Sequence, residues 1–380
     1  MIEVRDGTLT VKSGLPDFTQ GSPFLPGPMF AGSFHLKGEP SGSSYAYGRY
    51  HNPTWTNFEK AIGELEGGNA ITFSSGMAAI TSVLSVVLLP RMHKSGKRPV
   101  LVMPSDSYYT GRMLVDEHFA PLGVTVRYGP TKNNGQIGLL HGATLLWLET
   151  PSNPSLDVCD LSEVIQVAHQ EGALVAVDNT TATPLGQKPL NLGADFSVSS
   201  DTKALTGHDD LVLGHVATRD QTWADRLKAF RTQQGAIPGP METWLAHRSL
   251  ATLEVRLSRQ SSNAVLIAKT LIKRKEVQMV RYPGLPEDPA FRVASGQMRF
   301  FGSIVSFVLG SRAQADGFLE SCKIVENATS FGSVRTTAER RARWGGDKVP
   351  EGFIRLSAGC EDPEDIVEDV NQALDKALEL

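Results

Sequence analysis

Between Gly68 and Thr218 the chain alternates short apolar runs with helical patterns, and this alternation narrows the fold more than any other feature. The runs "RPVLVMP" (98–104), "ATLLWLET" (143–150), "GALVAVDN" (172–179) and "DFSVSS" (195–200) are mostly apolar and bounded by turn residues. Between them lie helical spacings such as Leu161, Val164, Ile165, Val167 and Ala168. Apolar strands separated by helices predict a mainly parallel sheet covered on both faces. In that α/β layout, binding sites form at the carboxyl ends of the strands.

The flanking segments read differently. Residues 1–51 are rich in Gly, Pro, Ser and aromatics, as in "GSPFLPGPMFAGSFHLKGEPSGSSYAYGRY", and carry few periodic signals. Such an arm is expected to order only by draping over another surface, for instance a second subunit. A helix follows, with Asn52 as cap, Pro53 in the first turn, Trp55, Phe58, Ile62 and Leu65 on one face, and Gly67-Gly68 as the stop. After about residue 240 the pattern changes to a helical stretch over Met241–Lys273, then "FGSIVSFVLG" (301–310), a helix near 312–320, "GFIRLSAG" (352–359) and a capped helix after Asp362. The expected organisation is an arm (1–51), a large α/β domain (52–240) and a smaller α+β domain (241–380), in keeping with a length of 380 residues.

A formal net charge of −4 gives no general attraction to nucleic acid or anionic membranes. The longest apolar stretch, "AAITSVLSVVLLP", is too short to span a bilayer, and "MIEVRDGTLTVK" is polar where a secretory leader would be apolar. Cys159, Cys322 and Cys360 are odd in number and far apart, so neither a disulfide framework nor a CxxC metal site is expected. These features predict a cytoplasmic protein with free thiols, no metal, and no nucleic-acid or membrane partner.

Three stretches carry candidate chemistry. In "ITFSSGMAAITSVLSVVLL" (71–89) a short strand meets Ser74, Ser75 and Gly76 and passes straight into a helix, whose N-terminal N–H groups and partial charge suit an anion. Taken alone, the stretch also reads as plain serine capping. Asp178 closes the strand "GALVAVDN", where a buried acid needs a positive or hydrogen-bonding partner; a protonated ring nitrogen, a metal and a capping role all qualify. Lys203, in "SSDTKALTGH" (199–208), is an amine brought to the end of a strand, with Ser200 and Thr202 beside it. A half-buried lysine loses its proton readily and condenses with aldehydes. Anion cradle, strand-end acid and lysine, in that order, are what pyridoxal 5'-phosphate requires.

Together, "YGRYHNPT", "SSGM", "ETPSNP", "VDNT", "SSDTKALTGH" and "FIRLSAGCED" resemble the Cys/Met-metabolism family of pyridoxal-phosphate enzymes, from about residue 45 to the C-terminus. The resemblance implies the type I fold of pyridoxal-phosphate-dependent transferases, that of aspartate aminotransferase. It implies that Lys203 binds the cofactor's aldehyde and Asp178 its ring nitrogen. Ser75, Gly76, Met77, Ser200 and Thr202 would hold the phosphate. Tyr47 and Arg49 match the family's YxR, which reaches the phosphate of a neighbouring subunit in a dimer of dimers. Tyr108 would stack on the ring and protonate the leaving thiolate, with Tyr109 as a one-residue alternative. Asn153 would sit by the ring hydroxyl, Arg355 would grip the substrate carboxylate, and Ser330 would lie between that carboxylate and the lysine.

The implied activity is carbon–sulfur lysis of a sulfur amino acid, foremost as a cystathionine γ-lyase. Methionine γ-lysis, or γ-replacement on an activated homoserine, is the alternative. Thr329 stands where cystathionine-handling members often carry glutamate and methionine γ-lyases an apolar residue; threonine matches neither, and the position is a candidate contact for the distal end of the substrate. The family's "SLGGxES…HPAxMTH" segment is here "SFGSVRTTAERRARWGG", with Arg335, Arg340, Arg341 and Arg343. It reads either as a solvated charged face paired with acids or as an altered entrance. Asp201 stands where alanine is usual, and the sequence offers no account of it. A catalytically silent relative would be free to lose Lys203, Asp178, Tyr47 and Arg49; all four are present. No GxGxxG or GxxxxGK[ST] follows a strand, which argues against a nucleotide enzyme.

Overall fold

Seven strands form the larger sheet: β1 (Asn69–Phe73), β2 (Val100–Pro104), β3 (Thr125–Gly129), β4 (Leu145–Glu149), β5 (Leu174–Asp178), β6 (Phe196–Ser200) and β7 (Gly214–Thr218). The structure is a computed structural model that describes residues 4–17, 19–92 and 98–377; Met1–Glu3 of the polar N-terminal stretch lie outside the described residues. The strand order is β1-β7-β6-β5-β4-β2-β3. Strands β2 to β6 run parallel to one another, and β7 is antiparallel to both β1 and β6. The expected mainly parallel α/β sheet is present. The short "TVRYG" and "GHVAT", which became β3 and β7, carry too few apolar residues to announce strands.

Alternate residues of each strand serve opposite layers. Leu101, Trp147, Ala176, Phe196 and Val216 pack against Ala79, Val83, Leu84 and Val87 of the helix Gly76–Met92. Their neighbours Val102, Leu146, Leu148, Val175 and Val177 pack against Leu161, Val164, Ile165 and Ala168 of the helix Leu161–Gln170. At about 1.5–3 kcal/mol for each fully buried large aliphatic side chain, these two layers hold the strand ends rigidly. Asn52 caps the helix Pro53–Glu66 by accepting from Thr54 N at 2.9 Å, and Gly67 ends it at φ 75°. That helix packs Phe58, Ile62 and Leu65 beside Ala70 and Ala217.

A second sheet holds β8 (Met279–Arg281), β9 (Ile304–Val308), β10 (Glu326–Asn327), β11 (Thr337–Arg340) and β12 (Phe353–Ser357), in the order β10-β11-β12-β9-β8. Phe307, Ile354 and Leu356 of this sheet share a core with Ile267 and Leu271, Phe318, and Ile366 and Leu374 from three covering helices. The helical stretch expected over 241–273 is two helices, Pro240–Leu250 and Leu253–Ile272. Thr252 breaks it at φ −111°, ψ 6°, where its hydroxyl donates to Ser249 O at 3.2 Å in competition with the helical backbone.

Candidate active site

Parallel strands end side by side, so the last residues of β4, β5 and β6 meet at one edge. Glu149 is in register with Asp178, and Asp178 with Val198. A cavity of about 280 Å³ opens there. The N-terminus of the helix Gly76–Met92 lines one side, and Thr329, Ser330, Phe331 and Arg355 from the second sheet's region line the other.

Ser75 accepts from Ala78 N at 3.1 Å, so it does cap the helix. Ser75, Gly76 and Met77 also line the cavity, which makes capping and anion binding compatible. Gly76 is needed for packing: a Cβ there would lie 2.6 Å from Ser200 Cβ. This close approach sets Ser200 beside the unpaired N–H groups of a 17-residue helix, whose N-terminus carries partial positive charge. Thr202 joins the same wall, its hydroxyl both donating to Leu213 O at 3.2 Å and accepting from Leu213 N at 3.1 Å.

Asp178 is buried, and burial pushes its pKa up while bonds from Thr180 pull the other way. Thr180 donates to Asp178 Oδ1 through N at 3.0 Å and Oγ1 at 2.5 Å, and its hydroxyl accepts from Ser200 N at 2.9 Å. Thr180 thus ties the acid to the strand that delivers the lysine. The motif "VDNT" contained it, but only the folded sheet brings it against Ser200.

Glu149 is a second buried acid, unforeseen although it opens "ETPSNP". It accepts from Tyr108 N at 2.7 Å and from Asn153 N at 2.8 Å, so it holds two candidate site residues by their backbones. Burial, then the charge of Asp178, push its pKa well above the usual carboxylate range. Glu149→Gln turns one acceptor oxygen into a donor facing a backbone N–H, which should destabilise the fold by about 1–3 kcal/mol. Thermal unfolding measures this, and an unchanged midpoint would show that Glu149 does not hold the two loops.

Lys203 Nζ donates to Ser330 Oγ at 2.6 Å and lies 5.3 Å from the centre of the Phe331 ring. Burial, with the nearby Arg355 charge, lowers its pKa to about 8. An ordinary exposed lysine would be almost wholly protonated at neutral pH; this amine is about a tenth neutral at pH 7. Ser330 has φ 77°, a strained conformation for a residue with a side chain. Only an amine without its proton attacks an aldehyde. Capture of pyridoxal phosphate by the apoprotein should therefore quicken with pH and level off above about 8. Stopped-flow absorbance checks this, and a rate still climbing at pH 10 would mean an ordinary lysine.

Arg355, on β12, donates to Asn153 Oδ1 at 2.7 Å and to Ser330 O at 2.9 Å, and pairs with Glu339, its register partner on β11. Burial, with repulsion from Arg341, lowers its pKa to about 10. Asn153, Ser330 and Arg355 thus meet, and Glu339 is a member of the group that the sequence reading missed. Tyr108 and Tyr109 both line the cavity, their ring centres 5.4 Å apart. The backbone tether to Glu149 belongs to Tyr108. Thr329 lies exposed at the rim.

The basic segment is divided: Arg335 and Arg343 are exposed, and the other two arginines are not. Arg340 and Arg341 are buried, Arg340 pairing with Asp316 and Glu351, and Arg341 with Glu339 and Asp347. Arg341 and Trp344 line the cavity, so this segment does build its wall. Tyr47 and Arg49 stand apart from the cavity of their own chain: Tyr47 is exposed, and Arg49 donates to Thr232 O at 2.9 Å.

A group with an anionic end, a basic ring nitrogen and an aldehyde fits what is present: helix N–H groups beside Ser200, an acid whose Thr180 bonds all fall on Oδ1, and an amine of lowered pKa. A family model described as Cys/Met metabolism PLP-dependent enzyme matches residues 28–375. A Streptomyces coelicolor protein bearing the provisional name cystathionine gamma-lyase is 55% identical over 379 residues, 98% of this chain and 94% of that one. The L-methionine gamma-lyase of Fusobacterium nucleatum is 37% identical, over 88% of this chain and 87% of that one. The structure of cystathionine gamma synthase from Xanthomonas oryzae pv. oryzae in complex with cystathionine superposes with a TM-score of 0.93 at 31% identity, covering 100% of both chains.

Proposed function

Because this chain belongs to the Cys/Met-metabolism family of pyridoxal-phosphate-dependent enzymes, we propose that it is a carbon–sulfur lyase that splits cystathionine. With one water, the products are cysteine, 2-oxobutanoate and ammonia. The observation that carries this reading is Lys203: a half-buried amine of lowered pKa, bonded to Ser330, in one cavity with Asp178, Arg355 and a helix N-terminus.

Bound pyridoxal phosphate supplies an aldehyde that condenses with amines and a ring that draws electrons from the substrate's Cα. The chain's residues do the rest. N–H groups of Gly76 and Met77, with the hydroxyls of Ser75, Ser200 and Thr202, bind the phosphate. Asp178 would hold a proton on the ring nitrogen, its Thr180 bonds both falling on Oδ1. Lys203 Nζ would hold the aldehyde and would be the base placed to take a proton from the substrate's Cα. The low pKa suits that task, since a base works best near the ambient pH. Arg355 orients the substrate carboxylate, steadied by Asn153 and Glu339, and Tyr108 delivers a proton to the departing sulfur.

Tyr47 and Arg49 complete the cofactor site of a neighbouring subunit in a dimer of dimers; the exposed Phe24, Phe30 and Tyr47 of the arm support this. Three unpaired cysteines fit a cytoplasmic setting. Release of 2-oxobutanoate from L-cystathionine and L-methionine, compared side by side, tests the reading. Preference for cystathionine is expected. Preference for methionine would make Thr329 part of a methionine pocket, and release from neither would point to γ-replacement on an activated homoserine.

A further inference from the structure

Asp201, two residues before Lys203, has no solvent exposure. Its Oδ1 lies 2.6 Å from His215 Nδ1, and His215 Nε2 lies 3.1 Å from Glu66 Oε1. His215 and Glu66 are fully buried as well. His215 sits on β7, opposite Thr72 of β1 and Ser199 of β6, and Glu66 ends the helix Pro53–Glu66. One imidazole therefore joins a helix end, the sheet and the loop that carries the lysine.

A ring that meets a carboxylate oxygen at each nitrogen donates from both, and is then an imidazolium. Burial opposes that charge, yet Asp201's charge and bond, with Glu66 behind them, carry the pKa of His215 up to about 10. Thr72 and Ser199 bring no charge; other charged groups on the packed elements include Glu59 and Arg231 on the Thr72 backbone, Arg219 beyond the end of β7, Asp178 on β5, and the exposed Lys60 and Glu64 of the helix Pro53–Glu66. Asp201 Oδ2 and Glu66 Oε2 find no partner among the described residues. Buried ionic groups of this kind add little net stability over an apolar filling. Their value lies in what they hold.

What they hold is the lysine loop. Asp201 N donates to Leu213 O at 2.9 Å, Thr206 Oγ1 donates to Asp201 O at 2.7 Å, and Gly207 N donates to Lys203 O at 2.9 Å. Asp201 is thus pinned by its backbone at both ends of the turn and by its side chain to β7. Lys203 lies inside that turn, and the Thr202 hydroxyl hangs from the same backbone. We propose that Glu66, His215 and Asp201 form a positioning device that aims Lys203 and Thr202 at the cofactor without touching it. The proposal rests on Lys203 being the cofactor lysine.

The test uses the full-length apoprotein, pyridoxal phosphate, and the variants Asp201→Asn and His215→Gln. Each should weaken cofactor binding on the order of tenfold, within the reach of a misplacement distant from the chemistry. Each should also raise the pH of half-maximal cofactor capture above about 8, because a loosened turn admits water to Lys203. A stability control, Leu271→Ala in the distant second-sheet core, should lower the unfolding temperature and leave both readings unmoved. If the two site variants behave like that control, the network is only structural and the proposal is overturned. If His215→Gln does not fold, Asp201→Asn, which keeps the side chain's volume, decides alone. Failure of the unaltered protein to bind pyridoxal phosphate would instead overturn the functional reading itself.

Discussion

Replacing Lys203 by alanine should abolish turnover and the cofactor's visible absorbance together. The absorbance depends on the bond between cofactor and amine, and the Cα proton depends on the same amine as base. Removing a group that serves two steps should cost at least ~10⁴-fold in kcat, as loss of a nucleophile or base does elsewhere. Lys203→Met adds a separate and opposite expectation. Lys203 has its pKa lowered from 10.5 to about 8 in the fold, so the folded state releases its proton more easily than the unfolded chain. That mismatch destabilises the apoprotein fully below about pH 8 and fades as the pH rises through 10.5. Methionine carries no charge to bury, so the variant's apoprotein should unfold at a higher temperature than the parent at pH 7, with the gap closing toward pH 10. Residual activity in Lys203→Ala would sink the assignment. A lower unfolding temperature for Lys203→Met at pH 7 would mean that the bond to Ser330 outweighs the burial of the charge.

Asp178→Asn should keep the cofactor and lose most of the rate. Asparagine retains an oxygen for the two Thr180 donors, so the wall of the site stays in place. It has no negative charge with which to hold a proton on a ring nitrogen, and that charge is what makes the ring an electron sink. A fixed electrostatic group of this sort contributes on the order of 10²–10³-fold. Single-turnover measurement on protein shown by absorbance to be loaded separates this from lost binding. A rate within a few-fold of the parent would mean that Asp178 is a structural acid, held by Thr180 and no more.

The roles just argued fall on residues legible in the chain, because each sits at a local landmark. Asp178 ends an apolar run, Gly76 opens a helix after a strand, and Lys203 follows a strand just after the hydroxyl residues Ser200 and Thr202. Glu149 sat at an equally clear strand end and was passed over, since its part is to hold Tyr108 and Asn153 by their backbones. No residue type signals that. Arg341 looked like surface charge because four arginines crowd one segment, and its burial depends on Glu339 and Asp347 closing around it. Thr252 broke a helix with no glycine or proline to mark the place.

The sequence by itself determined the apolar strands β2, β4, β5 and β6 of the larger sheet, the ends of the helix after Asn52, and the order of anion cradle, acid and lysine. Apolar periodicity and capping act over a few residues, so neighbours in the chain suffice to specify them. The tertiary structure alone decided that β7 runs antiparallel, that Arg355 is shared by Asn153, Ser330 and Glu339, and that Asp201 faces His215 with Glu66 beyond. Those contacts join residues separated by 14 positions for Asp201 and His215 and by 149 for Glu66 and His215. A buried carboxylate takes whichever partner the packed strands bring to it, and no local pattern carries that choice.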